Sequence, residues 1–235
     1  MKVVISQPMF LPWAGLFNQI LMADIYVHYD DAQFSKGSFL NRVQLKSKEQ
    51  YFWLTMPVSA TFQARINNII TLNKSRWKKK HLKTFKQIFS QRPFGKEVLN
   101  LIENIYFFET ENLADFNINA IEKICNYLEI DRKFIKSSAI DGLEGSSSFR
   151  VCEILTKLGA SEYITGHGAK RYLDHEMLES KGIITNYICY DIAPYYNCTN
   201  FTPYASVLDL ISFKGKKSLE NLNSRKKYWK DFIND

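Results

Sequence analysis

The sequence predicts an α/β protein, with a central, mostly parallel sheet carrying a β-hairpin and a helical insert. Three observations predict it. A β-branched run, a stretch of helically spaced apolar residues and a second apolar run lie between Lys2 and Tyr29, the length of one βαβ crossover of about 30 residues. Two extended stretches, Phe39 to Lys46 and Tyr51 to Val58, are separated by Ser-Lys-Glu-Gln, which reads as an antiparallel hairpin. Amphipathic helical patterns then occupy about 74–129 before strand-like segments resume.

Taken in order, Lys2 to Ile5 is a buried strand. Trp13 to Ala23 places Trp13, Leu16, Phe17, Ile20 and Leu21 on one helical face, and Ile25 to Tyr29 is the second strand. Arg65 to Leu72 reads as a further strand. Ser75 to Phe89 is a helix with Trp77, Leu82, Phe85, Ile88 and Phe89 inward and Lys78, Lys79, Lys80, Lys83 and Lys86 outward. Lys96 to Phe108 and Leu113 to Leu128 are helices, the latter capped by Asn112 with Asp115 three residues on. Phe134 to Lys136 is a short strand, and Ser147 or Ser148 caps a helix that runs to Leu158 and stops at Gly159. Tyr163 to Thr165 is a strand; Gly166 to Lys170 opens a helix; Ile183 to Tyr190 is extended. From Pro194 come loops, a helix near Leu208 and a polar C-terminal helix. With no internal repeat and no low-complexity linker, residues 1–235 read as a single domain.

An apolar fraction of 46% against 23% charged residues is that of a globular protein with a sizeable core. The formal charge of +7 favours acidic partners such as phosphates, nucleotides or nucleic acid. Cys125, Cys152, Cys189 and Cys198 lack the paired spacing of a zinc site, so no metal is expected. No signal peptide and no apolar stretch of about 20 residues is present, so a cytoplasmic protein with reduced thiols and no membrane span is expected. A Gly-x-Ser-x-Gly elbow is missing, and Cys125 and Cys152 fall on buried helix faces. Cys198, in the loop YYNCTNF, is left as a minor nucleophile candidate.

The strongest local signal is YITGHGAKRYLD, Tyr163 to Asp174. A strand runs into Gly166-His167-Gly168 and a helix start, an arrangement that turns backbone N–H groups toward an anion. Lys170 adds a charge in the first turn, and His167 has the chemistry of a general base near neutral pH. A tight turn needing glycine, with a solvated His and Lys, explains the same residues. The stretch is neither a P-loop nor a dinucleotide fingerprint, since it lacks their glycine and lysine spacing.

A second cluster is DDAQFSKGSFLNR, Asp30 to Arg42. If the first two strands are parallel, Asp30 and Asp31 share an edge with Gln7, and Gln33, Lys36, Asn41 and Arg42 follow at once. Carboxylates and amides suit sugar hydroxyls and amines; Lys and Arg suit a diphosphate. A polar surface loop is the competing account. The Lys78 to Lys86 face reads as a solvated helix surface, because its aromatic neighbours face inward. His28, inside an apolar strand, reads as a core histidine, and His81 and His175 as surface residues without a specific role.

The run QPMFLPWAGLFNQILMADIYVHYDDAQFSKGSFLNR resembles the opening signature of the WbqC-like proteins. YITGHGAKRYLD and YYNCTNFTPYASVLDLISFKG resemble the later parts, so the likeness spans nearly the whole chain. It implies a small enzyme of bacterial O-antigen or other surface-polysaccharide biosynthesis, acting on a nucleotide-linked amino sugar. The reaction inferred from it is acyl or aminoacyl (for instance glycyl) transfer to the sugar amine. The donor would be a carrier-protein or CoA thioester, or an aminoacyl-tRNA, and no cofactor is expected. The likeness carries over Gln7, Trp13, Asp24, Asp30, Gln33, Lys36, Asn41, Arg42, Gly166, Lys170, Tyr172, Tyr195 and Asp209 as functional positions. The chain departs from the pattern at Asn197-Cys198, where a glutamine is expected nearby.

The combined expectation places catalysis on His167 and Asp30. Substrate binding falls to Gln7, Trp13, Gln33, Lys36, Asn41, Arg42, Gly166, Gly168, Lys170, Tyr172 and Tyr195. The alternatives are a non-catalytic nucleotide-sugar binder and a nucleic-acid-binding protein. The turn Phe10-Leu11-Pro12-Trp13-Ala14-Gly15 is similar to that of His-x-Gly-His nucleotidylyltransferases but lacks both histidines, which excludes adenylyl transfer by that mechanism.

Overall fold

The computed structural model describes residues 1–47, 50–72, 74–197 and 200–234. Its centre is a six-stranded sheet. β1 (Lys2–Ser6) leads through α1 (Ala14–Met22) to β2 (Ile25–His28), which lies parallel beside it. The chain then forms the hairpin β3 (Arg42–Ser47) and β4 (Gln50–Thr55), and the short pair β5 (Val58–Ser59) and β6 (Ile70–Thr71). Lys48 and Glu49 of the hairpin turn lie outside the described residues.

Three helices follow, α2 (Lys74–Phe89), α3 (Gly95–Tyr106) and α4 (Leu113–Tyr127). They form the insert between β6 and β7 (Lys133–Lys136), which pairs parallel with β2. α5 (Ser147–Lys157) crosses back to β8 (Glu162–Thr165), which pairs parallel with β1 on its other side. α6 (His175–Ser180) leads to β9 (Ile184–Cys189), parallel to β8. α7 (Val207–Lys214), β10 (Arg225–Tyr228) and α8 (Trp229–Asn234) complete the chain, β10 running antiparallel along the edge of β9. The order across the sheet is β10-β9-β8-β1-β2-β7.

Period-two alternation divides the core between the two faces of this sheet. Val4, Tyr26 and Ile164 pack with Leu16, Phe17 and Ile20 of α1 and with the helical insert. Val3, Ile5, Ile25, Val27, Tyr163 and Tyr187 point the other way, onto Val151, Ile154 and Leu155 of α5 and Leu178 of α6. Both faces are covered, which is why β1 and β2 read as continuous apolar runs.

Several expectations change in detail. Arg65 to Leu72 is a strand only over Ile70–Thr71; Ile66–Asn68 forms a 3₁₀ turn instead. That turn is held to the end of β2, the Asn67 amide N–H donating to the Asp30 carbonyl at 2.8 Å. The helix expected from Gly166 is a five-residue 3₁₀ turn, His167–Arg171. The α-helix starts only at His175, where Asp174 accepts from the Met177 N–H at 2.9 Å. The C-terminal segment is a 3₁₀ turn, a strand and a short helix rather than one helix. Arg225-Lys226-Lys227 disguises that strand, because an edge strand can be charged on both faces. Asn112 caps α4 as expected, accepting from the Asp115 N–H at 3.1 Å.

His28, Cys125 and Cys152 are buried as expected. His81 and His175 are buried too, contrary to the surface role expected of them. His81 Nε2 is 3.1 Å from the Thr55 carbonyl and Nδ1 is 2.9 Å from the Tyr106 hydroxyl, and His175 stacks on Trp229 with ring centroids 4.5 Å apart. Each was misassigned because lysines or acids surround it in sequence, while the ring itself sits at an inward helical position. Among the described residues, no helix is long and apolar enough to cross a membrane.

Candidate functional site

The connections from β1 and β8 leave in opposite directions. α1 carries the chain from β1 to β2 over one face, and α6 carries it from β8 to β9 over the other. This divergence opens a crevice at the carboxyl ends of the two strands, the place where open α/β sheets hold ligands. A cleft of about 1010 Å³ occupies it. Ser6 and Gln7 line it from the end of β1, Thr165 to Ala169 from β8, and Tyr190 and Asp191 from the end of β9.

The segment Gln7 to Trp13 is built as a rigid wall. The buried Asn117 side chain donates to both the Pro8 and the Leu40 carbonyls at 2.8 Å. Phe10 N–H donates to the Phe39 carbonyl at 2.9 Å, and Val207 N–H to the Pro12 carbonyl at 2.8 Å. Leu11 sits at φ 43°, where a non-glycine residue is strained. The Ser206 hydroxyl donates to its carbonyl at 2.8 Å and helps hold it there. Trp13 folds back over Gly15: a Cβ at Gly15 would lie 2.2 Å from the indole. Only glycine allows that approach.

Trp13 then meets Tyr190 at 4.7 Å and Tyr204 at 5.3 Å between ring centroids, tilted by 56° and 49°. Tilts of this size make an open corner rather than a closed stack. Tyr29, Phe39 and Tyr172 supply more aromatic surface to the cleft. At its floor the buried Gln19 of α1 donates to the Tyr190 hydroxyl. Gly166 passes close to that pair, since a Cβ there would lie 2.9 Å from the Tyr190 oxygen and 3.1 Å from Gln19 Nε2. Burial holds the Tyr190 hydroxyl well above the ordinary phenol range.

His167 lines the cleft, packed 5.3 Å from Tyr190 and 4.9 Å from Phe232 of α8. Its Nε2 lies 2.9 Å from the Ile188 carbonyl. A carbonyl only accepts, so Nε2 carries the hydrogen, and in the neutral ring the lone pair is left on Nδ1.

Gln7, Trp13, Gly166, His167, Gly168 and Tyr172 are thus brought together. The other expected positions do not line the cleft. Asp30 is buried, accepting from Ser137 Oγ and Ser138 N–H at 3.0 Å and from Ser138 Oγ at 2.6 Å. Asp31 pairs with Arg150 and Ser137. These carboxylates tie the end of β2 to the segment after β7 and to α5. Asn41 is also structural, donating to the Met56 carbonyl at 3.1 Å. Tyr195 donates to Asp209 at 2.7 Å, and Arg92 pairs with the same carboxylate at 2.8 Å, joining α7 to the helical insert. Asp24 accepts from the Lys2 N–H at 2.7 Å, at the amino end of the sheet, away from the cleft.

Lys170 is turned toward α8, its Nζ 3.4 Å from the Ile233 carbonyl. Gln33 is exposed and bridges to Arg65. Lys36 is exposed, and Arg42 lies 4.2 Å over the Trp53 ring. Trp53 in turn packs on Phe39, so Arg42 stands near the rim of the cleft. Cys198 lies outside the described residues.

Sequence reasoning missed Gln19, Tyr190, Asp191 and Tyr204. Gln19 carried a signal, as a polar residue on a helix otherwise buried along this stretch. Asp191 follows the end of a parallel strand, which places it at the ligand edge.

The model of the WbqC-like protein family matches residues 7–221. The chain belongs to the WbqC-like protein family. The matched span includes every cleft residue from Gln7 to Tyr204 and stops before β10 and α8. A relative within reach of direct alignment is "Uncharacterized protein Rv1507c" of Mycobacterium tuberculosis, 27% identical over 226 residues, which cover 94% of this chain and 97% of that one. No solved structure gives a significant match. The α8 contact to His167 comes from outside the matched span.

Proposed function

We propose that this WbqC-like protein is an N-acyl- or aminoacyltransferase of surface-polysaccharide biosynthesis, modifying the amine of a nucleotide-linked amino sugar. The observation that carries the reading is His167: one ring nitrogen is tied to a backbone carbonyl, at the switch point of the sheet, inside an aromatic-walled cleft. Aromatic faces and amides such as Gln7 suit a sugar ring. A protonated amine first releases one proton to solvent; His167 Nδ1 then takes the next proton from the neutral amine as its nitrogen attacks the donor's carbonyl carbon. The new C–N bond forms, the C–S or C–O bond of the donor breaks, and the proton passes from Nδ1 to the leaving thiolate or alkoxide. Such a base contributes about 10²–10⁴ in rate. Arg42, near the rim, would meet the phosphates of the nucleotide, and the exposed Lys36 is a second candidate for them.

The test is His167→Ala against Asp30→Asn, with product followed by mass spectrometry across amino-sugar nucleotides and thioester or aminoacyl donors. Loss of turnover in folded His167→Ala is expected. Asp30→Asn is expected to lower stability first, because its carboxylate is engaged by Ser137 and Ser138. Unchanged turnover in His167→Ala would remove the base from this scheme.

A second reading, polyanion binding, is favoured by one observation. Lys83, Lys86 and Lys96 line a groove of about 500 Å³ between α2 and α3. Backbone-driven nucleic-acid binding there would fall steeply between about 50 and 200 mM salt. Salt-independent affinity for RNA, or none, counts against it.

A further inference from the structure

The protein carries a formal charge of +7, yet its main cleft has the opposite character. Among the residues lining it, Asp191 is an acid and none is Lys or Arg. Asp191 is exposed, and it makes no hydrogen bond or ion pair with the described residues. It directly follows Tyr190, whose ring forms the open corner with Trp13 and Tyr204. An ammonium group is attracted to the faces of Trp and Tyr rings and to a carboxylate beside them. A phosphate is repelled by the same carboxylate and finds no lysine or arginine in this lining.

We infer that this corner is an ammonium subsite: Trp13, Tyr190 and Tyr204 present ring faces and Asp191 presents the countercharge, selecting an amine-bearing substrate over its hydroxyl counterpart. The subsite deepens the amino-sugar reading above and rests on it for the identity of the substrate class. It also orients that substrate. The amine lies on the Tyr190 side, where His167 packs against the same ring. Any phosphates lie away from it, toward the rim where Arg42 stacks on Trp53 and Trp53 packs on Phe39. Asp191 is therefore a specificity residue that the sequence motifs do not mark.

The gain expected from an exposed carboxylate together with ring faces is about tenfold in affinity. The experiment is calorimetric binding of UDP-glucosamine and UDP-glucose to the full chain, at a pH where the amine is protonated. UDP-glucosamine is expected to bind about tenfold more tightly. In Asp191→Asn the ratio should fall to within about twofold, with UDP-glucose affinity nearly unchanged, since UDP-glucose carries no ammonium and its phosphates lie toward the rim. Tyr204→Leu, at a half-exposed ring, should reduce the preference without abolishing it. Equal affinity for the two probes, no binding of UDP-glucosamine, or a preference that survives Asp191→Asn would overturn the inference. Its failure separates from that of the transferase reading. A preference governed by Asp191 without any acyl transfer leaves the subsite and removes the reaction. Acyl transfer without an Asp191-governed preference does the reverse.

Discussion

Asn117 offers a direct test of how the cleft wall is held. Its side chain is fully buried on α4, and one Nδ2 group bonds to two carbonyls from distant loops, Pro8 and Leu40, each at 2.8 Å. Asn117→Ala removes both bonds and leaves two backbone carbonyls without that donor in a buried site. Each such group costs about 1–3 kcal/mol. Part of this is returned, because the Asn117 Oδ1 is itself buried without a partner and disappears with the substitution. Crediting about 1–2 kcal/mol for that atom leaves a net loss of about 1–4 kcal/mol. A chain of this size should show it as a fall in melting temperature of roughly 2–16 °C. The assay is urea unfolding with melting as a second readout, and Asn119→Ala as control. The Asn119 amide reaches its carbonyl only at 3.5 Å, so its loss should stay within about 0.5 kcal/mol. Because the two carbonyls flank Met9 and Phe39, which line the cleft, ligand affinity should fall with stability. A loss under about 1 kcal/mol for Asn117→Ala, or a loss equal to the control's, would refute the claim that this amide holds the wall.

Two further predictions follow from buried groups. Burial pushes the titration of His81 from 6.5 down to about 4, so the unfolded chain takes up this proton first on acidification. Stability should therefore fall between about pH 6.5 and 4, with a limiting slope of about 1.4 kcal/mol per pH unit from this one proton. His175, also lowered by burial, acts in the same direction. Urea midpoints measured against pH should show a shallower acid slope in His81→Gln than in the wild type; parallel slopes would count against it. Gly166→Ala places a methyl 2.9 Å from the Tyr190 oxygen. Gly166 is not in the left-handed region, so the backbone tolerates alanine, and stability should change by under about 1 kcal/mol. The Gln19–Tyr190 pair must move, and ligand affinity should fall by about tenfold, read by calorimetry. Unchanged affinity would show that the floor of the cleft is not in contact with ligand.

The architecture was legible wherever one periodicity dominated. β1, α1 and β2, the hairpin and the three insert helices follow directly from apolar spacing, and the Asn112 cap from its side-chain chemistry. Legibility ended where tertiary contacts supply the reason for a residue. Asp30 and Asp31 stand at the correct end of a parallel strand, and nothing local reveals that Ser137, Ser138 and Arg150, more than a hundred residues later, will take their oxygens. Lys170 carries the right charge in the right turn, but the edge strand and α8 beyond it draw the side chain outward. That strand is itself hidden by its charged sequence, so its pull on Lys170 is hidden too. Gln19 and the adjacent pair Tyr190 and Asp191 come from two places in the fold that only the sheet order joins.

The distribution of charge shows why net charge is a poor guide to the ligand of this cleft. The lysines concentrate on the helical insert and along the C-terminal segment, on elements that solvate the outside of the fold. The cleft is assembled instead from strand ends, where backbone polar groups and short side chains dominate, and a single acid sets the local sign. Coulomb interactions weaken over about 10 Å at moderate ionic strength, so a ligand in the cleft responds to Asp191 and the rings far more than to a lysine face on another element. A positively charged protein can thus present a cation-selective site. On the two readings proposed above, the insert would serve a polyanion and the cleft an ammonium group. The first, resting on many phosphate contacts, should weaken steeply with salt, and the second, resting on one ion pair and ring faces, should weaken less.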